Sequence, residues 1–291
     1  MIRVGTRGSA LAVAQAGLVA ARLGDAELVE ITTAGDRGEA VGDKSRWTSA
    51  LERALLAGEI DVAVHSAKDV PGELAEGTTI AAVPARADPR DALCGAADFA
   101  SLGSGARVGT SSIRRAAQLR ALRQDIQIVA VRGNVDTRLR KLAEGQVDAL
   151  VLAYAGLIRL GRGAAVGCVI EGMVPAPGQG ALLVQARAGD SPTLSALTVV
   201  NDESAERCVM AERALASHLN ASCNTPLGAS AVPASATDVT LQAWIGLPDG
   251  SHWIADELTG PAEQVGAWTA ERMLAAGAGD LLREAEKMAA V

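Results

Sequence analysis

Apolar positions along this chain fall into short β-like runs that alternate with stretches of helical spacing. Ile2-Arg3-Val4-Gly5 opens the series, an Ala/Leu/Val-rich helical pattern follows to Leu23, and Glu27 to Thr33 again reads as extended. A helix around Ser49 to Ala57 and strands at Ile60 to Val64 and Thr79 to Val83 continue the rhythm of an α/β domain. Pro84 to Arg90 is a proline-bounded polar crossing, after which a second α/β series runs from Asp91 to about Met173. Val174-Pro175-Ala176-Pro177-Gly178-Gln179-Gly180 punctuates the chain again, and Ala181 to Ala186 reads as a buried strand. Two crossings predict two lobes with a cleft.

From about Glu203 the pattern changes. A helix runs through His218, a cysteine-containing loop follows, and Val239 to Ile245, the turn Leu247-Pro248-Asp249-Gly250 and a strand through Ile254 form a hairpin signature. An amphipathic helix from Glu263 to Ala276, with more helix to Met288, is placed to cover that small sheet. The expected domains are 1–85 plus 178–200, then 88–175, and an α+β domain at 203–291.

Arginines stand where helix physics disfavours them. Thr6-Arg7-Gly8-Ser9 precedes the first helix, Gly109-Thr110-Ser111-Ser112-Ile113-Arg114-Arg115 follows the run Ala106-Arg107-Val108-Gly109, and Arg132-Gly133-Asn134 follows Ile126 to Val131 before a helix carrying Arg138, Arg140 and Lys141. A helix N-terminus carries partial positive charge and unpaired N–H groups, so each arginine there costs a few tenths of a kcal/mol upward. A ligand anion repays that cost. Hydroxyl caps, backbone N–H groups and guanidiniums together suit a carboxylate or phosphate, although for a single loop an ordinary cap with solvated arginines explains as much. The chain has neither G-x-x-x-x-G-K-[ST] nor G-x-G-x-x-G, so carboxylates are favoured over nucleotides.

Composition narrows the setting. Of 291 residues 49% are hydrophobic and only 2% aromatic, which predicts an aliphatic core. A net charge of -7 argues against bulk attraction to nucleic acid or an anionic membrane, so the positive charge is local. No secretory signal is visible after Met1, and the longest apolar stretch, Ala149 to Ile158, is too short to span a bilayer. A cytoplasmic location is expected. Cys94, Cys168, Cys208 and Cys223 are scattered without a C-x-x-C pair, and no metal site or disulfide framework is expected.

His65-Ser66-Ala67-Lys68-Asp69-Val70-Pro71 concentrates an imidazole, a hydroxyl, an ammonium and a carboxylate at the C-terminal end of a strand, the edge ligands favour in α/β sheets. Asp69 can serve as acid or base or steady a cationic intermediate, while Lys68 pairs with an anion; a local Lys–Asp pair is the plainer alternative. Cys223 lies in the small-residue loop Asn220 to Gly228, open to modification, or else partly buried and inert; the other cysteines have structural surroundings.

Taken in order, Gly5 to Ser9, His65 to Pro71, Asp88-Pro89-Arg90-Asp91, Gly109 to Arg115, Arg132-Gly133-Asn134, Pro177 to Ala181 and the Cys223 loop resemble the porphobilinogen deaminase (hydroxymethylbilane synthase) family nearly end to end. The resemblance implies two lobes like those of type II periplasmic binding proteins plus a small α+β C-terminal domain. It also implies a dipyrromethane cofactor made from substrate and joined by thioether to Cys223. The implied reaction deaminates four porphobilinogen molecules, adds them in turn to that primer and releases hydroxymethylbilane for haem biosynthesis. The acetate and propionate groups of each pyrrole then account for the arginines. Arg7, Arg114, Arg115, Arg132, Arg138 and Arg159 match family positions, with Ser9, Ser66, Lys68, Thr110 and Ser112 assisting. Asp69 matches the family's catalytic aspartate, and Arg7 assists proton transfer there. A cytoplasmic monomer with porphobilinogen as substrate, and without nucleic-acid or membrane partners, is implied.

Two departures stand out. Where the family commonly has Lys-Gly-Leu-Phe in a flexible loop over the site, this chain has Lys44-Ser45-Arg46-Trp47, so the lysine and aromatic roles fall on Lys44 and Trp47. Ser222 stands before the cysteine where the family usually has glycine, a change that bears on backbone angle and cofactor loading. The competing expectations are a non-catalytic two-lobed carboxylate-binding protein, which leaves Cys223 without a task, and a family member that fails to load or elongate.

Overall fold

The computed structural model describes residues 1–33, 45–221 and 225–289. In chain order the elements are β1 (Ile2–Thr6), α1 (Ala10–Leu23), β2 (Ala26–Glu30), α2 (Ser45–Leu56), β3 (Val62–Ser66), β4 (Thr78–Ala82), β5 (Asp91–Cys94), β6 (Arg107–Gly109), α3 (Ile113–Leu122), β7 (Gln127–Val129), α4 (Val135–Ala143), β8 (Ala149–Ala153) and α5 (Tyr154–Arg159). There follow β9 (Val166–Val169), β10 (Leu182–Arg187), α6 (Ser191–Leu197), α7 (Glu203–His218), β11 (Leu227–Pro233), β12 (Asp238–Gly246), β13 (Trp253–Pro261), α8 (Ala262–Ala275) and α9 (Ala278–Ala289).

Two compact units result. The first is Met1–Ala87 with Gly180–Met210, the second Asp88–Gln179 with Ala211–Val291. The first unit holds a five-stranded sheet in the order β2-β1-β3-β10-β4. β1 runs parallel to β2 and β3, whereas β10 runs antiparallel to both of its neighbours. Val62 and Val64 point into one core layer with Ala16 and Val19 of α1, and Ala63 into the other with Leu51 and Leu55 of α2. Burial on both faces is why β3 reads as a continuous apolar run instead of an alternating one.

The second unit repeats the plan. Its five-stranded sheet has the order β7-β6-β8-β5-β9, with β5 antiparallel to β8 and β9. Strand β5 therefore holds the position here that β10 holds in the first sheet. Leu93, Val108 and Val151 pack with Leu119 of α3 on one face, and Leu150 and Leu152 with Leu157 of α5 on the other. The same unit carries the antiparallel sheet β11-β12-β13. Val265, Ala270 and Met273 form the buried stripe of α8, and Gly266, where a Cβ would lie 2.5 Å from the Ala211 carbonyl oxygen, lets α8 approach α7 closely. The expected α/β lobes and small α+β sheet are all present.

Some boundaries differ from the sequence pattern. Helix α2 starts at Ser45 instead of Ser49, β2 ends at Glu30, and the hairpin strand β13 continues to Pro261. Among the described residues no helix is long and apolar enough to cross a membrane.

Candidate functional site

In the first unit the parallel strands β1 and β3 end at the same sheet edge. Strand β1 hands over to Arg7, Gly8 and Ser9, whose hydroxyl caps α1 by accepting from the Ala12 N–H at 3.3 Å. Strand β3 hands over to a 3-10 turn, Ala67–Asp69, that places Lys68 and Asp69. Leu182 at the start of β10 pairs with Ser66, and the Ala67 N–H donates to the Ala181 carbonyl at 3.1 Å, which pins the turn.

These residues gather around one pocket, lined by Arg7, Ser9, Trp47, Thr48, Ser66 and Asp69, among others. The Arg7 guanidinium lies over the Trp47 ring, 3.9 Å from its centroid. The Ser66 hydroxyl is held by the Gln15 amide, which donates to it at 2.8 Å. Half-buried Asp69 makes no hydrogen bond or ion pair with any described residue, so its carboxylate is available to a ligand. The buried Thr48 hydroxyl also lacks a hydrogen-bond partner among the described residues.

His65 closes the back of the pocket in an uncharged state. Burial, joined by the charge of Arg7, pushes its pKa down to about 4 against the opposing hydrogen bond to Gln185. The Gln185 amide nitrogen donates to the Glu52 carboxylate at 3.0 Å, so its oxygen is left to accept from His65 Nε2 at 3.1 Å. The imidazole proton therefore sits on Nε2.

In the second unit β6, β7 and β8 deliver their C-terminal ends to one edge, and β5 begins there with Asp91 opposite Ala153. Asp91 is 1% exposed. Arg114 Nη2 donates to one carboxylate oxygen at 2.7 Å, while Arg115 Nε and the Gln179 amide donate to the other at 2.9 and 2.8 Å. Arg114 also donates to the Val174 carbonyl, and Arg115 to the Val151 carbonyl and the Gln179 side-chain oxygen. Burial alone would raise the Asp91 pKa, but the two guanidiniums and Gln179 hold it well below the usual carboxylate range.

This corrects the electrostatic expectation for α3. The cost of Arg114 and Arg115 in its first turn was assigned to a ligand; the protein itself supplies an anion, Asp91, which reaches them through β5. Two cations on one carboxylate still leave one positive charge uncompensated. Thr110 and Ser112 serve as caps, their hydroxyls accepting from the Ser112 and Arg115 N–H groups.

Asn134 caps α4 in the same way, with its side-chain oxygen accepting from the Thr137 N–H at 2.8 Å. Arg132 is exposed. Arg138 donates to the Gly133 carbonyl at 2.7 Å but meets no carboxylate among the described residues. Burial and then the charge of Arg115 lower the Arg138 pKa, and burial lowers that of Arg159 at the end of α5. Lys44 and Cys223, assigned a substrate contact and the cofactor attachment, lie outside the described residues. Among the described residues no cluster of His, Cys, Asp and Glu is suited to a metal ion.

Asp91 and Gln179 have no role in the sequence reading, because Asp91 reaches Arg114 and Arg115 only through the pairing of β5 with β8, and Gln179 only through the turn that precedes β10. The Gln15–Ser66 and Gln185–His65 pairs had no local signal at all.

Known proteins match this chain over most of its length. The family described as "Porphobilinogen deaminase, dipyromethane cofactor binding domain" matches residues 2–195, and "Porphobilinogen deaminase, C-terminal domain" matches residues 206–275. The porphobilinogen deaminase of Brevibacillus brevis is 42% identical over 298 residues, covering 97% of this chain and 96% of that one. That of Roseiflexus sp. is 47% identical over 262 residues, covering 85% of this chain and 86% of that one. A nutrient binding protein from Burkholderia cenocepacia bound to methionine is structurally similar at a TM-score of 0.43 and 14% identity, over 68% of this chain and 90% of that one. That similarity bears on neither ligand nor activity.

Two outcomes follow from this geometry. Asp91→Asn leaves two buried guanidiniums facing each other without a charge partner and should cost about 3–5 kcal/mol in urea unfolding. Neutral His65 binds its proton more weakly folded than unfolded, so its contribution to stability is complete above the ordinary pKa of 6.5 and is lost as pH falls toward about 4. Denaturation between pH 7 and 4 should show a loss on the order of 3 kcal/mol in the parent beyond that in His65→Asn; an NMR titration should show His65 uncharged at pH 5.5.

Proposed function

The chain belongs to the porphobilinogen deaminase family, and on that premise we propose how its own residues perform the transfer. The activity is that of a hydroxymethylbilane synthase, which deaminates porphobilinogen and joins four of its units head to tail for tetrapyrrole synthesis. The observation that carries the residue assignment is the Asp69 carboxylate, without a partner among the described residues, in the same pocket as Arg7.

When ammonia leaves the aminomethyl carbon of porphobilinogen, the C–N electron pair departs with nitrogen and positive charge spreads over the pyrrole. A fixed carboxylate beside that charge lowers the barrier, because it is already oriented and need not reorganise. Asp69 fills this role, accepting a hydrogen bond from the substrate's pyrrole N–H as that group becomes cationic. Arg7 steadies a substrate carboxylate and assists the proton movements at the centre. Neutral His65 adds no competing positive charge. Ser9, Ser66 and Lys68 offer further donors to substrate carboxylates at the same edge, and Lys44 and Trp47 complete the substrate contacts.

Dipyrromethane, when bound, supplies the free pyrrole α-carbon on which the chain of pyrroles grows. The donor set of the second unit fits its acetate and propionate groups: one net positive charge at Arg114 and Arg115, Arg138 without a carboxylate among the described residues, and two helix N-termini. Thr110, Ser112, Arg114, Arg115, Arg132 and Arg138 would hold it, with Arg159 toward the substrate and Cys223 as the point of attachment. Action as a cytoplasmic monomer belongs to the same proposal; a net charge of -7 gives no bulk attraction to nucleic acid or anionic membrane. Asp88 to Gln179 supplies the anion-binding arginines in this division of labour.

Intact mass tests the attachment. Protein from a porphobilinogen-producing host should carry a dipyrromethane-sized excess that Cys223→Ser lacks, and an excess that persists in Cys223→Ser refutes that attachment. Asp69→Asn should keep the excess and the thermal midpoint while turnover falls about 10²–10⁴-fold; near-parental turnover removes Asp69 from the chemistry.

A further inference from the structure

We propose that Gln185 is a positioning residue that fixes the tautomer of His65, and that Glu52 and Thr78 in turn lock Gln185 in one orientation. His65 lines the pocket of Asp69 and Arg7, and the lock leaves a lone pair on its Nδ1 where the other tautomer would carry an N–H. The inference rests on the transferase reading and deepens it. A neutral imidazole has two tautomers, and hydrogen bonding decides which nitrogen holds the proton.

Every bond around Gln185 has a determined direction. The Thr78 hydroxyl donates to the Ala75 carbonyl at 2.7 Å, so its proton is spent and it accepts from the Gln185 amide nitrogen at 2.7 Å. Glu52 Oε1 accepts from the same nitrogen at 3.0 Å and from the Ala75 N–H at 3.2 Å. Both amide protons of Gln185 are then used, and a flipped amide would turn its oxygen onto two acceptors. The oxygen is therefore held toward His65, where only a donating Nε2 makes the 3.1 Å bond. Nδ1, the remaining ring nitrogen, makes no hydrogen bond with a described residue.

Packing alone does not account for Gln185. It lies in β10, an interior strand of the first sheet, and is 1% exposed; an apolar side chain would fill that place without the cost of burying an amide. The pairing of β10 with β4 is irregular between Val184 and Gln185, and such bulges re-aim side chains beside functional sites. Residues of α2, β3, β4 and β10 thus converge on one amide. The consequence is electrostatic. As ammonia leaves, positive charge spreads over the pyrrole; an imidazole N–H turned toward it presents the positive end of a dipole, whereas a lone pair presents the negative end.

Nitrogen-15 NMR on dipyrromethane-loaded protein, with loading checked by intact mass, reads the tautomer directly. Of the three histidines, the one missing from His65→Asn should be a single neutral Nε2–H tautomer at neutral pH. An Nδ1–H form or a mixture overturns the proposal, and this readout stands even where a Gln185 variant fails to fold. Gln185→Met, close in volume but without the amide, should mix the tautomers and lower the single-turnover rate at saturating porphobilinogen about tenfold. In a His65→Asn background the same substitution should add less than about a twofold loss, because the ring it orients has gone. Equal losses in both backgrounds, or a lower rate with the tautomer unchanged, would also overturn it and leave Gln185 acting through packing. A loaded parent that shows the Nε2–H tautomer and yet does not consume porphobilinogen would instead sink the transferase reading.

Discussion

A buried carboxylate between two buried guanidiniums governs the second unit. Asp91 is the first residue of β5, Arg114 and Arg115 open α3, and Gln179 ends the segment that leads back to the first unit. One ionic knot therefore fixes an inserted strand, a helix and a connecting segment. Each ion would be costly to bury alone, and the arrangement is tolerable because every carboxylate oxygen has a charged donor and Gln179 adds an amide. The imbalance of charge is as consequential as the pairing. With two cations and one anion the knot keeps a positive charge in a preorganised position, which suits a protein that handles acidic pyrroles.

The first unit solves an opposite problem. Its Asp69 carboxylate makes no pairing with a described residue, the His65 imidazole is kept neutral by burial, and the Arg7 guanidinium lies over the Trp47 ring. Chemistry that generates a cation requires a fixed negative group whose charge has not been spent on a structural partner. Anion binding requires the reverse. The same strand order, with one antiparallel strand inserted beside the third, provides both edges, so the difference lies in the loops after the strands and not in the architecture.

Helix starts were legible because capping is local. Ser9, Ser112 and Asn134 each accept from an N–H three residues on, and a side chain that close in sequence needs no tertiary help. Strands β1 and β3 were legible for a related reason, since short apolar runs that lead into polar turns have few alternatives. Strand β11 was not, because Leu-Gly-Ala-Ser-Ala-Val-Pro has little apolar periodicity and depends for its pairing on β12. The early start of α2 was hidden as well, for Ser45-Arg46-Trp47-Thr48 carries a single apolar residue and so shows no helical apolar spacing.

The amino-acid sequence by itself determined the α/β rhythm, the family, and the residue types that can meet carboxylates and a developing cation. These depend on local spacing and on ordered motifs. Tertiary structure alone decided which of those charges are spent inside the protein: Asp91 reaches Arg114 and Arg115 only through antiparallel insertion of β5, while Asp69, in the pocket with Arg7, pairs with no described residue. Charge compensation depends on distance in space, and residues 23 positions apart or more become neighbours only when the sheet is assembled.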